Sequence, residues 1–261
     1  MGFHHQHGLR YYQFDLFNNL PIFHAVLTRK GGVSKPPFHS LNTGGTVGDD
    51  SDAVLENHRR IYEALGYPFD SRFDVWQVHG TQILAADRPR PVGSPHLKAD
   101  GILTDKPGIT LFMRFADCVP ILLYDPQNQV IGIAHSGWKG TCQKIAAAAI
   151  EKMHEQYGSK ATDILAAIGP SICSSCYEVG DEIYRAFQDT FTCKTDQFFQ
   201  RKNNTWYLDL WRANQYILHD AGVTQLEIAE ICTACHHDDW YSHRAEGAKT
   251  GRFGVLMALK E

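Results

Sequence analysis

A chain of 261 residues with 43% hydrophobic and 21% charged residues and a formal net charge of −4 can bury a sizeable core without disulfide or metal staples. The slightly acidic balance, with no basic block, argues against nucleic acid as a partner, although a local positive pocket can still take a small anion. The longest apolar runs, VPILLY and ITLFM, are far shorter than the roughly 20 residues of a membrane helix, so no membrane span is expected.

MGFHHQHGLR at the start lacks the apolar centre of a signal peptide. Together with an odd number of cysteines, seven, this points to reduced thiols and a cytoplasmic location.

Short β-branched or aromatic runs alternate with helical patterns along the chain. Strands are expected at Ile22–Leu27, Asp74–Val78, Ile109–Phe115, Pro120–Tyr124, Val130–Ala134, Ile164–Ile168, Leu226–Ile231 and Gly254–Ala258. A first helix starts at the acidic cap Asp50–Ser51, turns Leu55, His58, Ile61, Tyr62 and Leu65 to one face, and stops at Gly66. A second is expected from about Thr141 to Tyr157, a third from near Glu178, and a fourth from about Asp209 to Ala221. The proline-rich stretch Asp87–Pro95 reads as a surface loop, not a linker. Strands adjoin near residues 109–134 without a steady βαβ rhythm. The expected fold is therefore α+β, a layered α/β sandwich with a mixed β-sheet, forming one domain over residues 1–261.

Three reactive residues stand at strand ends: His79 in DVWQVHG, Cys118 in LFMRFADCVPILL, and His135 in VIGIAHSGWKG. A rigid sheet can deliver such residues to one cleft. Two imidazoles and a thiolate suit zinc, with copper as the alternative, and three ligands leave an open position where bound water becomes acidic. The same residues without metal would form a Cys–His hydrolase with Cys118 as nucleophile. The bland alternative is a small buried cysteine and two chance histidines.

Around these residues, Gly137-Trp138-Lys139-Gly140-Thr141 is a glycine-rich turn opening a helix, suited to an anion beside Lys139. Arg29-Lys30-Gly31-Gly32 reads on its own as a solvated turn, and Ser40-Leu41-Asn42 carries no signal alone. Ser242-His243-Arg244 and Thr250-Gly251-Arg252 flank a loop able to lend an arginine to an anion. Two further pairs, Cys173/Cys176 and Cys232/Cys235, have the CxxC spacing of structural zinc sites. The sole HxH, His5-Gln6-His7, lies at what should be a frayed terminus, which disfavours a conventional multicopper laccase.

In order along the chain, TRKGGVS, QVHG, ADCVPILL, AHSGWKG, IGPSICSSCYEVG and CTACHHDDWYSHR…TGR resemble the YfiH-like family. Its members were first labelled multicopper polyphenol oxidases or laccase-like proteins and later recognised as purine nucleoside phosphorylases with adenosine deaminase activity. The resemblance implies that His79, Cys118 and His135 hold the metal, usually zinc, and carry catalysis. It also implies an α/β sandwich like that of certain cysteine-dependent deamidating toxins. The implied partners are phosphate and the nucleosides adenosine, inosine and methylthioadenosine; an enzyme of this kind is expected to take substrate contacts from Arg29, Asn42, Lys139 and Arg244, and to be a monomer. Copper-dependent phenol oxidation is the alternative activity. Two departures stand out: Lys139 replaces the arginine of HAGWRG, and His243 replaces the aromatic residue of SYR.

Overall fold

Consecutive residues of a strand face opposite sides, so an apolar run without polar members must be covered on both faces. VPILLY is such a run. In the computed structural model, which describes residues 2–260, it belongs to the central strand of a sheet buried on both faces.

The described strands begin with β1 (Gly2–Gln6), β2 (Leu9–Gln13), β3 (Ile22–Leu27), β4 (Arg72–Asp74), β5 (Ile83–Ala85), β6 (Gly101–Thr104), β7 (Thr110–Phe115) and β8 (Val119–Asp125). They continue with β9 (Val130–Ser136), β10 (Leu165–Ile168), β11 (Glu178–Val179), β12 (Phe199–Lys202), β13 (Thr205–Leu208), β14 (Gln225–Ile228) and β15 (Phe253–Leu259). The helices are α1 (Ser51–Leu65), α2 (Trp138–Cys142), α3 (Ile145–Tyr157), α4 (Asp181–Phe191), α5 (Leu210–Asp220) and α6 (His243–Glu246).

One six-stranded sheet has the order β1-β2-β3-β15-β7-β4 and a second the order β14-β10-β8-β9-β6-β5. Each is mixed: β4 runs parallel to β7, β5 to β6 and β14 to β10, while the remaining pairs are antiparallel. The small sheet β11-β13-β12 stands beside α4. Alternation along β8 sends Leu122 and Tyr124 toward the first sheet, where they meet Met113, Phe115 and Val255. Its other residues, Ile121 and Leu123, pack against Ile145 and Ala149 of α3 and Ile217 of α5. Phe112 and Leu256 on the far side of the first sheet cover Ile61, Tyr62 and Leu65 of α1. The result is a helix–sheet–sheet–helix sandwich, mixed α/β as the sequence leads one to expect, with two large sheets in place of one.

Local signals explain most of the element ends. Asp50 caps α1 by accepting from Asp52 and Ala53 N–H, and Gly66 closes it at φ 77°. Leu55 departs from the expected inward face: it is 39% exposed, at the rim of a cavity. The helix expected from Thr141 to Tyr157 is two helices, broken at Lys144, which adopts left-handed φ 58°. Asn214 of α5 explains the direction of the first piece, since its amide bonds both Ser136 Oγ (2.7 Å) and Thr141 Oγ1 (3.1 Å). The third helix starts at Asp181, after Gly180, because Glu178–Val179 pairs with β13 as a strand. The strand expected over Asp74–Val78 ends at Asp74, and the chain then turns toward β6 through the Trp76–Lys98 bridge. His5 and Gln6 are not frayed but paired in the β1–β2 hairpin.

Asn214 is fully buried and ties α5 to the β9–α2 turn. Asn214→Leu should leave buried hydroxyls short of partners and lower unfolding free energy in urea by about 1–3 kcal/mol.

Candidate functional site

The β7–β8 turn, the end of β9 and the loop after Trp76 meet at one edge of the sandwich. Register dictates part of this. Val119 pairs with Ser136 and Pro120 with His135, so Cys118 falls opposite Gly137. A Cβ at Gly137 would lie 2.8 Å from Cys118 Sγ and 3.3 Å from His79 Cδ2, so only glycine lets the three reactive side chains close up.

His79 sits past the strand, in a turn at φ 61°. Buried Asp100, just before β6, holds that turn. Its carboxylate accepts the N–H groups of Val78 (3.1 Å), His79 (2.9 Å) and Gly80 (2.7 Å). The same carboxylate accepts from His135 Nδ1 at 2.9 Å, and the Asp100 carbonyl accepts from His135 N–H at 2.7 Å. His135 therefore has its Nδ1 engaged and its Nε2 left for the site. The His79 and His135 rings meet edge to face with centroids 4.8 Å apart, and His79 Nε2 is 4.0 Å from Cys118 Sγ. One ligand atom from each of His79, Cys118 and His135 lies within 4.8 Å of the others, a donor set that fits zinc or copper.

Burial alone would push the Cys118 thiol up, but His135 and His79 beside it bring it down to about 6. Burial likewise opposes charge on His135, yet Cys118 and Asp100 raise it to about 9. Between these values the pair is a thiolate and an imidazolium in the metal-free protein. Asp100 is itself held below its ordinary value: burial works against its charge, and the bonds from His135 and Gly80 outweigh it.

A cavity of about 600 Å³ opens onto His79 and His135. Its rim carries the exposed Trp76 and Leu55, and its wall carries Arg72, Arg114 and Arg252. Behind the wall lies Asp74, wholly buried, with Arg90 Nε at 2.7 Å, His96 Nε2 at 3.1 Å, Arg72 Nε at 3.6 Å and a short ion pair to Arg114. Burial disfavours the charged carboxylate, but His96, Arg114 and Arg72 hold it far below the usual range. Three guanidinium groups against one carboxylate leave this wall positive.

The other sequence candidates are spread more widely. Asn42 is fully buried behind the wall, where its Oδ1 accepts from Gly44 N–H (2.9 Å) and Arg252 N–H (2.8 Å). Arg29 is buried, not solvated, because its guanidinium bonds Glu246 (2.7 Å) and the His237 carbonyl (2.8 Å), and it borders a different cavity. Exposed Lys139 lies 5.6 Å from the Trp138 ring centre and does not line the 600 Å³ cavity. Arg244 stacks over Tyr177 at 5.0 Å and borders a third cavity. Sequence reasoning missed Asp100, Asp74, Arg72 and Arg114. For Arg114 a signal existed: a charge inside the apolar strand LFMRF must have a buried partner. Asp100 had none, since an Asp-Gly before a strand reads as a turn.

In metal-free protein, the alkylation rate of Cys118, followed site by site by mass spectrometry, should be half-maximal near pH 6, falling as acid protonates the thiolate. His135→Ala should move that midpoint toward the ordinary thiol value of 9.0.

Comparison with known proteins places the chain among relatives of similar length and fold. Residues 23–260 match the family described as multi-copper polyphenol oxidoreductase laccase. The purine nucleoside phosphorylase YlmD of Bacillus subtilis is 35% identical over 252 residues, covering 94% of this chain and 91% of that protein. The adenosine deaminase RL5 of an unknown prokaryotic organism is 33% identical over 248 residues, covering 91% and 94%. Among solved structures, YlmD of Geobacillus stearothermophilus superposes with a TM-score of 0.91 at 32% identity over 99% of both chains. The hypothetical protein YfiH of Bacillus licheniformis does so at 0.90 and 35% identity over 97% of both. With a family match across nearly its whole length, the same sandwich and relatives at this identity, the chain belongs to the YfiH/YlmD family, the multi-copper polyphenol oxidoreductase laccase family by description.

Proposed function

We propose that this chain is a purine nucleoside phosphorylase acting on adenosine, inosine and methylthioadenosine, and that the same site deaminates adenosine to inosine. One observation carries the reading: the His79/Cys118/His135 cluster faces a cavity of about 600 Å³ that has an aromatic and aliphatic rim and an arginine wall. The names of the YlmD and RL5 relatives support the two reactions.

The chemistry needs two kinds of contact in one cleft. A purine is flat and apolar on its faces, and Trp76 and Leu55 offer surfaces to stack on it. Phosphate is a dianion, and Arg72, Arg114 and Arg252 offer it charge and forked donors within a partly enclosed cavity. In phosphorolysis the bond from the base nitrogen to C1′ breaks, its electron pair leaves with the purine, and a phosphate oxygen bonds C1′. The arginines orient that oxygen and offset its charge, while Asn42 acts behind them by holding the Arg252 backbone. Asp100 fixes the face that His135 presents to the cavity.

His79, Cys118 and His135 are the residues that would hold the metal, with Asp100 orienting His135. When bound, zinc would acidify a water for attack at the purine C6 in deamination. Copper in the same donor set would instead support the phenol oxidation of the family's description, a second reading served here by one three-ligand cluster.

Purified protein incubated with adenosine, with and without phosphate, should release adenine and ribose-1-phosphate only when phosphate is present, and inosine in both cases. Cys118→Ala should reduce both by about 10²-fold or more with its circular dichroism unchanged. Full turnover by a well-folded Cys118→Ala protein would reject the assignment. Arg252→Gln should raise the phosphate KM by about ten-fold and leave deamination nearly unaffected, since a charged hydrogen bond contributes about 1.5–3 kcal/mol.

A further inference from the structure

The seven cysteines are not scattered evenly. Cys142 and Cys193 lie apart and Cys118 serves the site above, but the remaining four meet. Cys173 and Cys176 follow β10, and Cys232 and Cys235 follow β14, the strand paired parallel to it. Both chains therefore leave the sheet at the same edge. The Ser171–Cys232 bridge extends that pairing, with Ser171 N–H donating to the Ile231 carbonyl (3.1 Å) and Thr233 N–H to the Ser171 carbonyl (3.2 Å).

Each CxxC segment then turns so that its two sulfurs face the other pair. All four Sγ atoms lie within 4.8 Å of one another, and Cys176 Sγ is 3.4 Å from Cys235 Sγ. A tetrahedral thiolate shell with metal–sulfur bonds of about 2.3 Å has sulfur–sulfur edges of about 3.8 Å, in the middle of this spread. Donors already point at the sulfurs: Cys173 N–H approaches Cys232 Sγ at 3.3 Å, and Ser175 Oγ lies 3.0 Å from Cys173 Sγ. Such contacts stabilise thiolates and orient them as ligands.

We propose that Cys173, Cys176, Cys232 and Cys235 bind one zinc ion as a closed tetrathiolate site, and that this ion holds the turn carrying Cys118. Four protein ligands leave no open position, which marks the site as structural. Arg244 offers charge against the negative cluster, its guanidinium reaching the Cys176 carbonyl at 3.4 Å. The link to Cys118 is short. Asp117, the residue before it, adopts φ 79°, an unfavourable conformation for a residue with a side chain. Three contacts hold it there: Ile172 N–H donates to the Asp117 carbonyl (3.0 Å), and Thr233 Oγ1 (2.7 Å) and Arg244 N–H (2.6 Å) donate to its carboxylate. Ile172 directly precedes the first CxxC segment and Thr233 lies within the second, so the ion that joins the segments also joins these two contacts. None of this depends on the nucleoside reading.

The test uses the full chain carrying Cys118→Ala, which removes a donor from the His/Cys/His cluster, purified from zinc-supplemented cells. Native mass spectrometry should find one zinc per chain. N-ethylmaleimide should label exposed Cys193 and spare Cys173, Cys176, Cys232 and Cys235 until the zinc is stripped by chelator under denaturant. Zinc-free protein, labelling of the four together with Cys193, or their recovery as disulfides would overturn the site. A Cys173→Ser/Cys232→Ser pair should lose the zinc, but the first measurement decides even if that variant does not fold. For the positioning role, zinc removal under native conditions should speed amide exchange at residues 117 and 118 by about ten-fold and leave α1 unchanged. Equal exchange with and without zinc would overturn that part.

Discussion

The carboxylate of Asp100 organises this molecule's chemistry. A buried carboxylate is costly unless its lone pairs are filled, and here four N–H groups fill them. Three come from the backbone of the turn that bears His79 and the fourth from the ring of His135. The charge that must be satisfied therefore binds two reactive histidines from separate chain segments into one geometry. Cys118 needs no such device, since the pairing of β8 with β9 sets it opposite Gly137.

A second buried carboxylate, Asp74, does analogous work for the cavity wall. Guanidinium groups repel one another and carry large desolvation costs, so Arg72, Arg90 and Arg114 can crowd together only around an anion. Of these, Arg72 and Arg114 face the cavity beside His79 and His135. The two carboxylates thus divide the site: one brings together the histidines of the metal-fitting donor set and the other gathers the arginines of the cavity wall, where the proposed phosphate would sit. Arg252 completes the arginine wall, its backbone held by Asn42.

Much of the architecture was legible because burial leaves a periodic trace. Runs such as VPILLY and VIGIAH announce strands covered on both faces, and Asp50 and Gly66 bracket α1 by their capping chemistry. Less was legible where neighbours override local preference. The helical pattern from Thr141 to Tyr157 is continuous in sequence, yet Lys144 breaks it at left-handed φ, while Asn214 in a distant helix anchors the first piece through Thr141. The short strands β5, β6 and β11–β13 escaped notice because a run of two to four residues carries too little periodicity.

The site divides along the same line. Residue chemistry singled out His79, Cys118 and His135 because a sheet can deliver strand-end thiols and imidazoles to one cleft, and the family resemblance rested on the same motifs. Local sequence also marked the two CxxC pairs. The sequence by itself determined which residues have reactive chemistry, and, through alternation and caps, which segments form sheets and helices. Only the tertiary structure decided that Arg29 joins Glu246, that Asp100 joins the two histidines, that Arg72 and Arg114 share Asp74, and that four cysteines meet. The physical reason is that a buried charge or thiol must find its partner in space. That partner lies up to 217 residues away along the chain, where no local pattern records it.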